Sequence, residues 1–317
     1  MPLTLFLAVE EAAGLQLLQA LLRTPHRVAG VAVTSGDPAG VERLALRQGL
    51  PVWPAVRVKD PAFADVLRTA GVDLLLNVHS LHVVCPEVLA APRLGAYNLH
   101  PGPLPHYAGL NAPSWAIFQG ETRHAVTLHR MVPAIDAGPV VSEAAFPIGP
   151  DDTALSVYTR CAKLGLLLVA RLVDQYADDP ASVRHRDLDP AGRRVYGRKP
   201  PNGGWIDWNW PAGTIANFAR ACAFGPFASP WGSPKLRLGD DTLAVSRLRR
   251  AGQSADAPPG TVVAVDADGA ALVAARGGAL LLEQLIAGGR RVPAGSVLTA
   301  GCRFASASDL AETRRVA

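Results

Sequence analysis

The chain is poor in the residues that would place it in several large protein classes. Four cysteines, Cys85, Cys161, Cys222 and Cys302, lie about 60–80 residues apart with no CxxC pair. That scarcity argues against a disulfide framework or a cysteine-built zinc site and suits reduced thiols. No apolar run reaches the roughly 18–20 residues of a membrane span. The start, Met1-Pro2-Leu3-Thr4-Leu5-Phe6-Leu7, lacks the basic region that precedes the apolar stretch of a signal peptide. A cytoplasmic protein with no membrane role is therefore the expectation. Charged residues make up only 18% against 49% hydrophobic, which excludes a disordered or tail-like polyelectrolyte. Three signatures are also missing: a GxGxxG after the first strand, a GxxxxGK[ST] and a GxSxG. Dinucleotide dehydrogenases, P-loop NTPases and serine hydrolases lose their support with them.

What is present fills two domains, since 317 residues exceed one domain of roughly 100–200. Strands at Leu3–Val9, Val28–Thr34, Pro51–Trp53, Asp73–Val78 and Gly95–His100 alternate with helical patterns at Glu11–Leu22, Val41–Gln48 and Ala62–Ala70. Such alternation predicts βαβ units and a Rossmann-like, mostly parallel sheet with helices on both faces. Ala125–Met131 and Pro139–Ile148 read as further strands, and Asp151-Asp152-Thr153 reads as the cap of a helix reaching about Tyr176. Beyond a polar, Arg- and Pro-rich stretch, short β runs at Lys235–Leu238, Thr242–Arg247, Gly260–Val265, Ala270–Ala275 and Leu280–Ile286 predict a small barrel or sandwich. The expected division is a catalytic domain over residues 1–180, a linker over 181–204 and a β domain over 205–317. Net charge is −3 over residues 1–183 and +7 over residues 184–317, so the second half is suited to phosphates.

Chemistry gathers in the segment Asn98-Leu99-His100-Pro101-Gly102-Pro103-Leu104-Pro105. Asn98 and His100 are two apart on a predicted strand, so both project from one face. The Pro/Gly turn that follows ends the strand, and the carboxyl ends of such strands are where ligands bind. Asp136, a lone carboxylate between two apolar strands, is the third polar group. Singly, each has a plainer role: Asn98 as a turn former, His100 as a structural imidazole, Asp136-Ala137-Gly138 as a turn. In this order and context they point to an active site. His79 and His82, three apart, lack an acidic or cysteine partner nearby, so no metal is expected.

The same residues carry a resemblance. Gly95-Ala96-Tyr97-Asn98-Leu99-His100, Leu104-Pro105, Gly109, Pro113, Val126–Met131 and Asp136-Ala137-Gly138 resemble the formyltetrahydrofolate-dependent formyltransferases, in particular their methionyl-tRNA and sugar-nucleotide branches. The likeness continues more weakly through Gly203-Gly204-Trp205-Ile206-Asp207-Trp208 into a C-terminal half that is an OB-like β domain in the family. It implies that Asn98, His100 and Asp136 are the catalytic triplet and that 10-formyltetrahydrofolate is the formyl donor. A protonated His100 and the Asn98 amide would then donate to the formyl oxygen, with Asp136 orienting His100. Either His100 or Asp136 would take the amine proton. The resemblance also implies a folate pocket lined by backbone at His82, Val83 and Val84 and near Val132 and Ile135.

Two departures bear on the acceptor. The tRNA branch carries a basic insertion where this chain has only Ser35-Gly36-Asp37-Pro38-Ala39-Gly40, and both that branch and the sugar-nucleotide branch place an arginine where this chain has Ala108 before Gly109. A small-molecule amine, such as an amino sugar nucleotide or an amino-acid derivative, phosphorylated or carrier-bound, is thus expected as partner. Arg198 and Lys199 would meet a diphosphate and Tyr107 would contact the acceptor. Initiator-tRNA formylation, formyl-folate hydrolysis and a non-catalytic folate-binding module are the alternatives.

Overall fold

The computed structural model describes residues 1–305, so the last twelve residues of the expected β domain lie outside it. It divides into two compact units, one of residues 1–112, 123–147 and 158–196, the other of residues 113–122, 148–157 and 197 onward. The chain opens with β1 (Thr4–Val9), α1 (Glu11–Leu21), β2 (Arg27–Val33), α2 (Val41–Arg47), β3 (Val52–Pro54), α3 (Phe63–Thr69), β4 (Leu74–Val78), α4 (Pro86–Leu89) and β5 (Gly95–His100). Next come β6 (Ala108–Gly109), α5 (Ala112–Gln119), β7 (Arg123–Arg130), β8 (Val140–Pro147), α6 (Ala154–Asp178) and β9 (Val195–Tyr196).

Seven strands of the first unit form one sheet in the order β3-β2-β1-β4-β5-β7-β8. Pairing is parallel from β3 to β5 and antiparallel for β5/β7 and β7/β8. The central strand β4, Leu-Leu-Leu-Asn-Val, is buried at every position, as a strand covered on both faces must be. The strand order reverses between β1 and β4, which opens a crevice at their carboxyl ends.

Alternation along β5 decides what faces that end. Tyr97 stacks toward Tyr176 of α6, and Leu99 closes on Gly165, where a Cβ would lie 2.5 Å from a Leu99 methyl. The opposite face belongs to Ala96, Asn98 and His100. Its floor is the apolar cluster of Phe6, Phe63, Leu67, Leu75, Val88 and Ala96. Helix α6 starts where the sequence predicts. Thr153 Oγ1 accepts the Ser156 N–H at 3.2 Å while Ser156 Oγ accepts the Thr153 N–H at 3.0 Å, a reciprocal cap.

The second unit holds α7 (Ala212–Ala221), β10 (Lys235–Leu238), β11 (Asp241–Arg250), β12 (Val262–Val265), β13 (Ala271–Ala275), β14 (Gly278–Ala287) and β15 (Arg290–Pro293). These strands make a six-stranded antiparallel sheet, β10-β11-β14-β13-β12, with β15 on β14. Phe218 of α7 packs edge-on to Phe118 and Trp210. Strand β15 is absent from the sequence reading because Arg290-Arg291 carries no apolar signal; β14 supplies its pairing. Among the described residues, no helix is long and apolar enough to cross a membrane.

Candidate active site

Strand β5 delivers Asn98 and His100, β7 delivers His129, and the loop between β7 and β8 delivers Asp136. Antiparallel register sets Asn98 opposite His129 and His100 opposite Thr127. Asp136 reaches them from a left-handed backbone conformation, φ 48°, which Asp tolerates better than most residues. A backbone N–H and two imidazoles flank its carboxylate. The Gly109 N–H donates to Oδ2 at 2.8 Å, His100 Nδ1 lies 3.5 Å from Oδ2, and His129 Nε2 lies 3.4 Å from Oδ1. The Asp136-Ala137-Gly138 spacing has a packing cause. A Cβ on Gly138 would sit 1.9 Å from the Arg130 carbonyl oxygen, so only glycine lets the loop return against β7. Arg193 also donates to the Ile135 carbonyl, tying down the loop just before Asp136.

The donor and acceptor roles follow from the partners. His100 Nε2 lies 2.6 Å from the Tyr107 carbonyl oxygen, which can only accept, so Nε2 carries a proton in every state of the ring. Nδ1 is left as the nitrogen that gains or loses one. His129 Nδ1 faces the Arg130 carbonyl at 3.1 Å, and its Nε2 lies 3.1 Å from Asn98 Nδ2 and 3.4 Å from Asp136 Oδ1. The second Asn98 amide hydrogen faces Asp136 Oδ1 at 3.5 Å, a contact at the limit of a hydrogen bond.

Burial and charge oppose one another at both central groups. Burial pushes the His100 pKa below the ordinary imidazole value and outweighs the upward pull of Asp136 and the Tyr107 carbonyl. Desolvation thus favours the neutral ring, where the sequence reading expects a protonated His100. At Asp136, burial raises the pKa, but His100, His129 and the Gly109 N–H together hold it well below the usual carboxylate range. An ionised carboxylate thus faces a neutral, proton-accepting nitrogen.

The proline-rich turn after His100 is fastened to β7. Thr127 Oγ1 donates to the Gly102 carbonyl at 2.7 Å, and His124 Nε2 donates to the Pro101 carbonyl at 2.9 Å. Burial lowers the His124 pKa to about 4, so this imidazole stays neutral and structural.

The other expected site residues fall in three places. On the loop after β4, His82 is half-buried, Val83 is 54% exposed, and Val84 is spent in the apolar core, leaving only its main chain to a ligand. Val132 is half-buried and Ile135 is 51% exposed on the Asp136 loop. Arg198 and Lys199 are exposed in the second unit, between β9 and α7. Tyr107 offers the site its carbonyl, while its ring is buried against Tyr196 and His124. His79 is engaged by Glu11 at 3.2 Å and Tyr158 at 3.0 Å. Among the described residues, no group of three or more His, Cys, Asp or Glu is arranged to hold a metal. Sequence reasoning left His129 and Gly109 without a role; His129 is recoverable only by setting β7 against β5.

Residues 14–172 match the formyl transferase family, and residues 199–301 match the formyl transferase C-terminal domain. HypX from Aquifex aeolicus, solved in complex with tetrahydrofolic acid, is similar with a TM-score of 0.63 and 20% identity, over 93% of this chain and 46% of that one. The chain therefore spans a little under half the length of HypX. The N-formyltransferase from Helicobacter canadensis, in complex with folinic acid and dTDP-3-aminofucose, gives 0.67 and 15% identity over 89% of this chain and 99% of that one. Both likenesses establish the fold. Glycinamide ribonucleotide transformylase 1 from Symbiobacterium toebii is 27% identical, with a TM-score of 0.50, over 60% of this chain and 95% of that one.

Proposed function

The chain belongs to the formyl transferase family, and on that premise we propose that it transfers a formyl group from 10-formyltetrahydrofolate to the primary amine of a small molecule. The observation that carries this reading is the contact set at the end of β5. Half-buried Asn98 and buried His100 each come within 3.5 Å of half-buried Asp136 over an apolar floor. The folate and amino-sugar ligands of the similar structures support the choice of donor and acceptor class.

The site suits a flat, hydrogen-bonding donor. Exposed Leu81, Val83 and Ile135 offer apolar rims beside main-chain groups. Asn77 Oδ1 and Ser80 Oγ, at the root of the same loop, are buried without partners, as groups awaiting ligand N–H donors are. Arg198 and Lys199 are the proposed cations for a phosphorylated acceptor.

Neutral His100 accepts the proton of the attacking amine at Nδ1, because Nε2 is already occupied by its own proton. The resulting imidazolium then faces the Asp136 carboxylate, an attraction made only after proton transfer and therefore one that lowers the barrier. Asn98 Nδ2 exchanges its long contact with Asp136 for the developing oxyanion, and the new Nδ1–H of His100 is the second donor. Asp136, held ionised, is too weak a base to compete for the proton. As the formyl carbon releases the folate nitrogen, His100 returns its proton to that leaving group.

The test is tetrahydrofolate release from 10-formyltetrahydrofolate across a panel of acceptors: amino sugar nucleotides, free and carrier-bound amino acids, methionyl-tRNA, and buffer alone. Release that depends on a small amine, and is lost in Asn98→Ala and His100→Ala, is the expected result. Release only with tRNA would replace the acceptor class, and release in buffer alone would indicate hydrolysis. Folate binding with no release under any condition would leave a binding module and overturn the reading.

A further inference from the structure

The two-residue strand β6 is a splint with two sides. In an extended segment, successive residues direct their main-chain groups to opposite sides. On one side, the Tyr107 carbonyl accepts from His100 Nε2 at 2.6 Å and the Gly109 N–H donates to Asp136 Oδ2 at 2.8 Å. On the other, the Ala108 N–H donates to the Arg194 carbonyl at 3.0 Å and the Leu110 N–H to the Tyr196 carbonyl at 2.9 Å. Odd positions hold catalytic groups; even positions are held by β9. The segment around Tyr196 thus fixes the piece of chain that fixes both His100 and Asp136.

A ladder of two residues is marginal without side-chain support. Here the support is aromatic. The Tyr107 and Tyr196 rings stack with centroids 5.2 Å apart and planes 17° apart. Close approach adds to it, since a Cβ on Gly109 would lie 2.3 Å from the Tyr196 carbonyl oxygen. Further ties at Arg194 N–H to the Pro105 carbonyl, 3.2 Å, and at His106 Nδ1 to the Gly192 carbonyl, 3.0 Å, keep the strap in register.

We propose that Tyr196 is a positioning residue, whose ring and carbonyl clamp Tyr107–Gly109 and thereby set the tautomer of His100 and the place of Asp136. Phenylalanine preserves the stack and the backbone carbonyl, while alanine removes the stack. The inference rests on the catalytic reading of His100 and Asp136 for its kinetic consequence, but not for its structural one.

The experiment therefore has a readout that needs no substrate. Long-range proton–nitrogen NMR of the imidazoles, with His100 assigned through His100→Gln, reports its tautomer and pKa in the full chain. Wild-type protein and Tyr196→Phe should show a single Nε2–H tautomer titrating below the ordinary imidazole range. In Tyr196→Ala, the tautomers should mix and the His100 pKa should move up toward about 6.5 as water enters. With formyl transfer in hand, Tyr196→Ala should lower kcat about 100-fold, the scale of a 1 Å misplacement, and shift the acid limb of kcat upward; Tyr196→Phe should restore both. Thermal melts and circular dichroism confirm that the variants are folded. An unchanged His100 tautomer and pKa in folded Tyr196→Ala overturns the proposal, as does failure of Tyr196→Phe to restore them. Absence of formyl transfer in wild-type protein would overturn the functional reading alone.

Discussion

Asp136→Asn removes one charge and almost no volume. The aspartate oxygens lie 3.5 Å from His100 Nδ1 and 3.4 Å from His129 Nε2. At an effective dielectric of about 20, a full imidazolium–carboxylate attraction at 3.5 Å is roughly 5 kcal/mol. Part of that is repaid in desolvation, so about 3–4 kcal/mol remains for the state in which His100 holds the amine proton. At 1.4 kcal/mol per decade, kcat should fall by about 10²–10³. The pH profile supplies the sign. Asp136 is a cause that raises the His100 pKa, so its loss must lower that pKa and move the acid limb of kcat/KM to more acidic pH while the plateau drops. Stability follows separately. The Asp136 pKa is depressed in the folded state, so its contribution is present above the unfolded carboxylate value and is lost as pH falls through the folded one. Asp136→Asn should therefore be less stable than wild type at pH 7, with the gap closing below about pH 4. Steady-state kinetics from pH 5 to 9 and urea unfolding at two pH values read both effects. An acid limb that moves upward, or a plateau within threefold of wild type, would refute the assignment of charge to Asp136 and of the base to His100.

Two further outcomes follow from the packing. Gly138→Ala should cost about 2–3 kcal/mol, because its Cβ would enter the Arg130 carbonyl, and should lower activity with it. Gly197→Ala, with nothing within 4 Å of its Cβ, is the control; equal melting temperatures for the two would sink the packing argument. His124 titrates at about 4 when folded and about 6.5 unfolded, so the folded state loses about 3 kcal/mol as pH falls across that interval. His124→Phe keeps the ring contacts to Tyr107 and Phe146 and should flatten the stability curve there; a curve as steep as wild type would locate the acid sensitivity elsewhere.

The alternation Asn98-Leu99-His100 was legible because a strand has period two and a buried sheet leaves little choice of face. Asp136 was legible as a lone carboxylate among apolar residues. His129 was written in the same stretch, yet its role depends on the register Asn98↔His129, and a register is a property of two segments rather than of either. The parallel strands announced themselves through runs such as Leu74-Leu75-Leu76. Strands β6 and β9 could not, being two residues each and pairing Ala108 with Val195 across a long stretch of intervening chain.

The protonation state of His100 shows why such contacts matter more than composition. Read along the chain, an imidazole with a carboxylate partner is expected to be charged. Folded, it is buried, and one of its nitrogens is committed to a carbonyl beside a two-residue strand that has no local propensity to exist. The same residues, unburied, would have made an ion pair and no base. On the proposed reading, desolvation and the tautomer control of Tyr107–Gly109 turn Asn98, His100 and Asp136 from an electrostatic cluster into a proton-accepting site, and residues 194–196 hold Tyr107–Gly109 in place. A chain with the triplet intact but β9 misplaced should therefore keep its fold and lose its chemistry. Motif matching alone would count that chain as active.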